Sequence, residues 1–120
     1  MTEIITIKGE PVIAIYESFD GSYWFITNKL YKQDTLLNGR IYRNDQIFFG
    51  YARLSACPEF AEFGTISETE LRLAGAWKVP QKNWVVCPEI EVAYVDDIET
   101  TEGRVKNPTS YTQHFERRYI

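Results

Sequence analysis

The residue types able to do chemistry are few and widely spaced. Histidine occurs once, at His114. A His-containing triad would need that segment to pack into a pocket, and a multi-histidine metal site is excluded. Two cysteines, Cys57 and Cys87, each open a Cys-Pro-Glu tripeptide. Structural zinc takes four Cys or His ligands, so two copies of the chain would have to pool their thiols to hold it. The simpler reading is two chain reversals, each closed by proline after a reduced, buried thiol, because unpaired cysteine packs as a small apolar residue. No CxxC motif is present. Glu59, Glu62, Glu68 and Glu70 form an acidic cluster, and a carboxylate pair suits glycoside or metal-assisted hydrolysis. Glu68 and Glu70 are explained by a helix start, which leaves Glu59 and Glu62 as loop carboxylates and candidate binding residues. Neither a phosphate-cradling glycine loop nor a Gly-x-Ser-x-Gly elbow occurs. No catalytic residue, metal ligand or cofactor is assigned.

Aromatic residues make up 15% of the chain, with eight Tyr, seven Phe and three Trp. In the run Tyr23-Trp24-Phe25 successive side chains alternate between the faces of a strand. Either Trp24 is core and Tyr23 and Phe25 face outward, or the reverse. Exposed strand aromatics stack on bases in single-strand binders, and they also supply hot spots at protein interfaces. Tyr23, Phe25 and Tyr51, with Arg40 and Arg43, are therefore candidate binding residues. The basic residues Lys29, Lys32, Arg40, Arg43 and Arg53 are interspersed with acids, which disfavours nucleic acid relative to protein.

These side chains need strands to position them. Residues 3–8 read as a short strand ended at Gly9-Glu10-Pro11. Residues 12–19 read as a central strand with Ile13, Ile15 and Phe19 on one face and Val12, Ala14 and Tyr16 on the other. Asp20-Gly21 signals a type I′ hairpin that returns residues 23–30 against it. Asn38-Gly39 and Asn44-Asp45 mark turns around a short strand at 40–43. Residues 46–54 form a long apolar strand in which Gly50 marks a bulge or a close backbone approach. Residues 55–64 are irregular. Ser67 then caps a helix of about two turns, reciprocated by Glu70, with Ile66 and Leu71 at hydrophobic-staple spacing and Gly75 closing the C-terminus. Residues 84–87 and 90–95 read as strand pieces broken by Pro88. Tyr111, Phe115 and Tyr119 recur every four residues, as in a short docking helix; a partly ordered tail is the alternative.

With 120 residues the chain suits one domain, placed at 1–97 with a polar tail at 98–120. No apolar run is long enough to span a bilayer, and the first residues lack a signal-peptide order. A cytoplasmic protein without membrane contact is expected. Charge is uneven: residues 1–54 are neutral, 55–102 carry −7 and 103–120 carry +3, for the overall −4. An acidic body repels phosphate, which further disfavours nucleic acid.

The string Asp45-Gln46-Ile47-Phe48-Phe49-Gly50-Tyr51, followed by Ala61-Glu62-Phe63-Gly64-Thr65-Ile66-Ser67-Glu68-Thr69-Glu70-Leu71, resembles an uncharacterised family of small proteins found on plasmids, phages and other mobile elements. The resemblance spans residues 45–73. It departs from the family pattern at Thr65, where an aromatic is usual, and it implies a setting rather than a reaction. The expected fold is α+β: a mainly antiparallel sheet of five or six strands, or a partly open barrel, with one short helix near residues 68–74. The expected function is a non-enzymatic interaction protein that binds a protein partner, or itself, through an aromatic sheet face or an edge strand. The alternatives are a nucleic-acid-binding sheet and a small carboxylate- or metal-dependent hydrolase.

Overall fold

The computed structural model describes residues 2–95. In chain order the elements are β1 (Thr2–Ile7), β2 (Glu10–Pro11), β3 (Ala14–Glu17), β4 (Tyr23–Leu37), β5 (Arg40–Arg53), β6 (Glu62–Ser67), α1 (Glu68–Leu73), β7 (Trp77–Lys78) and β8 (Ile90–Val95). Two 3-10 turns, Pro58–Phe60 and Gln81–Val86, complete the set. The fold is α+β, with antiparallel pairing throughout. No helix among the described residues is long and apolar enough to cross a membrane. The proposed tail, the docking helix of Tyr111, Phe115 and Tyr119, and His114 all lie outside the described residues.

The chain divides into two compact units, one formed by Met1–Pro11 with Glu89–Ile120 and the other by Val12–Pro88. The described part of the first is a three-stranded sheet of order β2-β1-β8. Lys8 and Gly9, both at positive φ, make the two-residue turn that sets Ile7 opposite Glu10. Thr6 Oγ1 donates to the Glu91 carbonyl at 3.2 Å, and Lys8 pairs with Glu89 at 3.5 Å.

The second unit is a five-stranded sheet of order β6-β5-β4-β3-β7 with α1 on one face. Because β6 and β7 are its two edges and do not pair with each other, the sheet stays open; the partly open barrel is not formed. On the helix side Ala14, Tyr16, Ile26, Phe48 and Ile66 bury Leu71 of α1. Ile66 and Leu71, the staple pair, thus share one core. Ser67 caps α1 by accepting from the Glu70 N–H at 3.1 Å. At the other end the N–H of Gly75 (φ +81) donates to the Arg72 carbonyl and that of Ala76 to Leu71, a Schellman closure.

Several local expectations are corrected. The strand expected over 12–19 is shortened to β3, with Phe19 90% exposed. The Asp20-Gly21 hairpin forms, but as a three-residue loop. Gly21 N–H donates to the Ser18 carbonyl, Ser18 N–H donates to that of Ser22, and of the loop residues only Gly21 has positive φ. The Asp20 side chain takes over part of the turn by accepting from Ser18 Oγ and Ser22 N–H. Residues 31–45 are not a polar interlude: β4 and β5 run through them as one long hairpin, turned at Asn38-Gly39 with both residues at positive φ. Residues 62–64, the end of the stretch expected to be irregular, instead open β6 (Glu62–Ser67) against β5. Residues 84–87 are not a strand. Pro80 starts a 3-10 turn, and buried Trp84 anchors it by donating its indole N–H to the Val79 carbonyl at 3.1 Å.

Gly50 answers to both of its sequence readings. The register shifts between Ile26 and Asn28 opposite it, and a Cβ added there would lie 2.2 Å from the Phe25 carbonyl oxygen. That contact is with backbone, which cannot rotate away. Gly50→Ala is expected to destabilise the fold by about 3 kcal/mol or more, read as a lowered urea midpoint; a midpoint equal to that of the parent would refute the close approach.

Candidate functional site

β3 pairs with β4 only at residues 23–26, and β6 pairs with β5 only at 47–52. Residues 28–46 of the hairpin therefore project as an arm: residues 28–31 lie past β3 but share β5 with β6, and residues 32–46 form a ribbon of two strands with no third strand on either side among the described residues. Isolated two-stranded ribbons are marginal in water, so this arm needs local support. At its tip Leu36 and Ile41 face each other across the strands, 69% and 59% exposed. Arg40 lies over the Tyr42 ring, 5.6 Å from its centroid. In the middle Arg43 and Asn44 form a bulge on β5 opposite Asp34, whose carboxylate accepts from the Arg43 guanidinium at 2.7 Å and the Asn44 N–H at 3.1 Å.

The arm is fastened at its root by Asp45, which is only 2% exposed. One carboxylate oxygen accepts from Thr35 Oγ1 (2.7 Å) and Ser67 Oγ (2.6 Å), and the other from the Thr69 N–H (2.8 Å). Three elements, β4, β5 and the start of α1, therefore meet on one charge. Burial pushes the carboxyl pKa up, but the hydrogen bonds from Ser67, Thr35 and Thr69 outweigh it and hold the group below the ordinary carboxylate range. In the sequence Asp45 reads as a turn residue at the head of the 45–51 string, with no sign of an anchoring role. Its partners lie 10, 22 and 24 positions away, beyond the reach of any local motif.

The residues singled out from the sequence are not brought together. Phe25 (0% exposed) and Tyr51 (7%) oppose each other within the sheet core, their ring centroids 6.3 Å apart, so neither is offered at the surface. Tyr23 is half-buried, stacked on Phe25 at 5.9 Å, and donates its hydroxyl to Glu17 at 3.0 Å. Burial, then the Glu17 carboxylate, push its pKa up to about 12. Phe49 and Phe63 stack at 5.9 Å beside Tyr51. The aromatics thus fill a core face rather than line a cleft, and Tyr23 and Trp24 are both half-buried because both faces of the sheet are covered. Arg40 and Arg43 sit far along the arm, exposed and already engaged as described. Glu59 lies in the Pro58–Phe60 turn and Glu62 at the start of β6, both exposed. Among the described residues no three His, Cys, Asp or Glu side chains are grouped to hold a metal. Cys57 and Cys87 are unbridged, and only Cys87 is fully buried.

A cleft of about 410 Å³ opens on the helix side, between the root of the arm and β7. Tyr16 and Phe48 form its floor, and Lys29, Lys32 and Lys78 stand around it. Glu68 also lines it, accepting from Tyr16 Oη at 3.3 Å and paired with Arg72 at 3.4 Å. Among the described residues none of the three lysines makes an ion pair. Period-2 alternation would put Lys29 and Lys32 on opposite faces. The register shift between Lys29 and Tyr31 brings both to one cleft, which is why spacing alone did not reveal it. A larger hollow of about 550 Å³ over Val79 and Trp84 has Lys78 as its sole charged group and lacks such convergence.

No protein-family model matches the chain, and neither curated proteins nor solved structures yield a match.

Asp45→Asn keeps the shape but gives up the charge and turns an amide donor toward either the Thr69 N–H or the two hydroxyls of Thr35 and Ser67. It is expected to cost about 2–3 kcal/mol at neutral pH. Because the folded carboxyl ionises below its unfolded value, its contribution is complete above about pH 4 and is lost as pH falls through the lower folded value. Urea unfolding across pH 2–7 should therefore show a steeper acid loss in the parent than in the variant; parallel curves would refute the assignment.

Proposed function

We propose that this protein is a non-enzymatic interaction module that engages a protein partner, or a second copy of itself, through the projecting β4–β5 arm. The observation that carries the reading is the arm of residues 28–46, in which both edges of the ribbon at 32–46 lack a third strand among the described residues and Tyr31, Leu36 and Ile41 are held in solvent. A long, partly apolar exposed edge is a liability unless something pairs with it, and rigid apolar side chains on a ribbon tip are suited to insertion into a partner's groove. The aromatic sheet face expected to serve this role is instead core, which moves the contact surface to the arm. A cytoplasmic, mobile-element setting belongs to the same proposal and rests on the resemblance at residues 45–73.

A second reading has one observation in its favour: the arm carries four basic residues against two acids, Asp34 and Asp45, and a basic two-stranded ribbon fits a nucleic-acid groove.

A photo-cross-linking residue at Leu36 should give a defined adduct by mass spectrometry, while the same residue at exposed Val86 should not. With the probe kept at position 36, Ile41→Asp should abolish that adduct and leave the free energy of urea unfolding within about 1 kcal/mol of the parent. Equal adducts from both positions would remove the arm's claim, and retarded oligonucleotide migration that weakens steeply with salt would favour the second reading.

A further inference from the structure

β3 stops while β4 goes on. Its line along β4 ends where the Ile13 N–H donates to the Ile26 carbonyl at 2.8 Å, and from residue 29 to 37 β4 has β5 on one side and no described strand on the other. The lysine-lined cleft opens at this step, with Ile13, Lys29 and Lys32 among its lining residues and Lys78 of β7 across from them. A vacated strand position and a cluster of positive charge without an ion pair among the described residues thus coincide.

We propose that this notch receives an extended acidic polypeptide segment, which continues the line of β3 antiparallel to β4 and sets carboxylates against Lys29, Lys32 and Lys78. The proposal rests on the interaction-module reading and names the chemistry of the partner. Strand addition takes affinity from main-chain hydrogen bonds and specificity from alternate side chains. On an added strand every second side chain points to the helix side, where the lysines converge over Tyr16 and Phe48. Glu68 does not cancel that field, since its charge is already paired with Arg72. A nucleic-acid strand would satisfy the lysines but leave the amides and carbonyls of the β4 edge without partners, so the polypeptide is the better match.

The test is fluorescence anisotropy of the full chain with a labelled peptide of alternating glutamate and valine, at low salt. Binding is expected to weaken by about tenfold or more in the Lys29→Glu, Lys32→Glu, Lys78→Glu triple variant and to be unchanged in Lys82→Glu, a charge outside the cleft. The milder Lys→Gln triple variant covers the case in which charge reversal impairs folding, and it should weaken binding in the same direction. A peptide N-methylated at every glutamate cannot supply the N–H donors that face β4 and should lose most of its affinity. Absence of peptide binding at low salt, equal binding by the triple variants, or equal binding of the N-methylated peptide would overturn the proposal. Tighter binding of an oligothymidylate than of the peptide would overturn it in favour of nucleic acid. A Leu36 adduct that persists while the peptide fails to bind would leave the arm reading standing and remove the notch alone.

Discussion

The carboxylate of Asp45 sits where water scarcely reaches it, and only hydrogen bonds keep it charged. Three donors from three places in the chain converge on it: Thr35 from the arm, Ser67 from the helix cap and the Thr69 N–H from the first turn of α1. A buried charge with that many partners costs far more to break than to keep. It therefore acts as a common anchor. The arm holds its angle because Thr35 is tied to the group that also positions the helix, and the helix start is held because its cap residue is itself capped. The lysine cleft lies between these same elements, so its shape depends on this anchor.

The helix shows how far local sequence reaches. Ser67, Ile66, Leu71 and Gly75 are close neighbours whose spacing prescribes a cap, a staple and a Schellman end, and each does what its spacing implies. The reciprocal bond expected from Glu70 to the Ser67 N–H is not formed in that pattern; Asp45, more than twenty residues earlier, supplies the acid at this helix start. Capping chemistry was legible because it is short-range. The identity of the second capping group was set by tertiary pairing, which no local pattern encodes.

The arm was hidden for a related reason. Its sequence is polar because a ribbon without a covering layer has little to bury, and polarity reads as loop. Turn residues at Asn38-Gly39 were visible, but two bulges further down the strands break the alternation that would have revealed them. The first of these, between Lys29 and Tyr31, also brings Lys29 and Lys32 to one cleft. The candidate binding aromatics failed in the opposite sense. Phe25 and Tyr51 alternate as strand residues should, yet both faces of their sheet are covered, so alternation could not say which side was exposed. The Trp84 segment misled through its valines, whose strand preference yields to the proline before them and to a buried indole that fixes the turn.

What remains is a division of labour within one sheet. Its centre is closed on both faces: aromatic rings fill one, and α1 covers the other. Gly50 is stripped of a side chain so that β4 and β5 can approach where the ladder shifts. Beyond that centre the two longest strands continue without neighbours. Strand length in excess of pairing does nothing for the core, because the residues that extend past β3 and β6 bury little and include exposed Tyr31, Leu36 and Ile41. A fold that ties such an extension down with a buried carboxylate is holding it in place rather than leaving it to fray. Under the proposed interaction role the ordering cost of the arm would be met before a partner arrives, and binding energy would not be consumed in forming it.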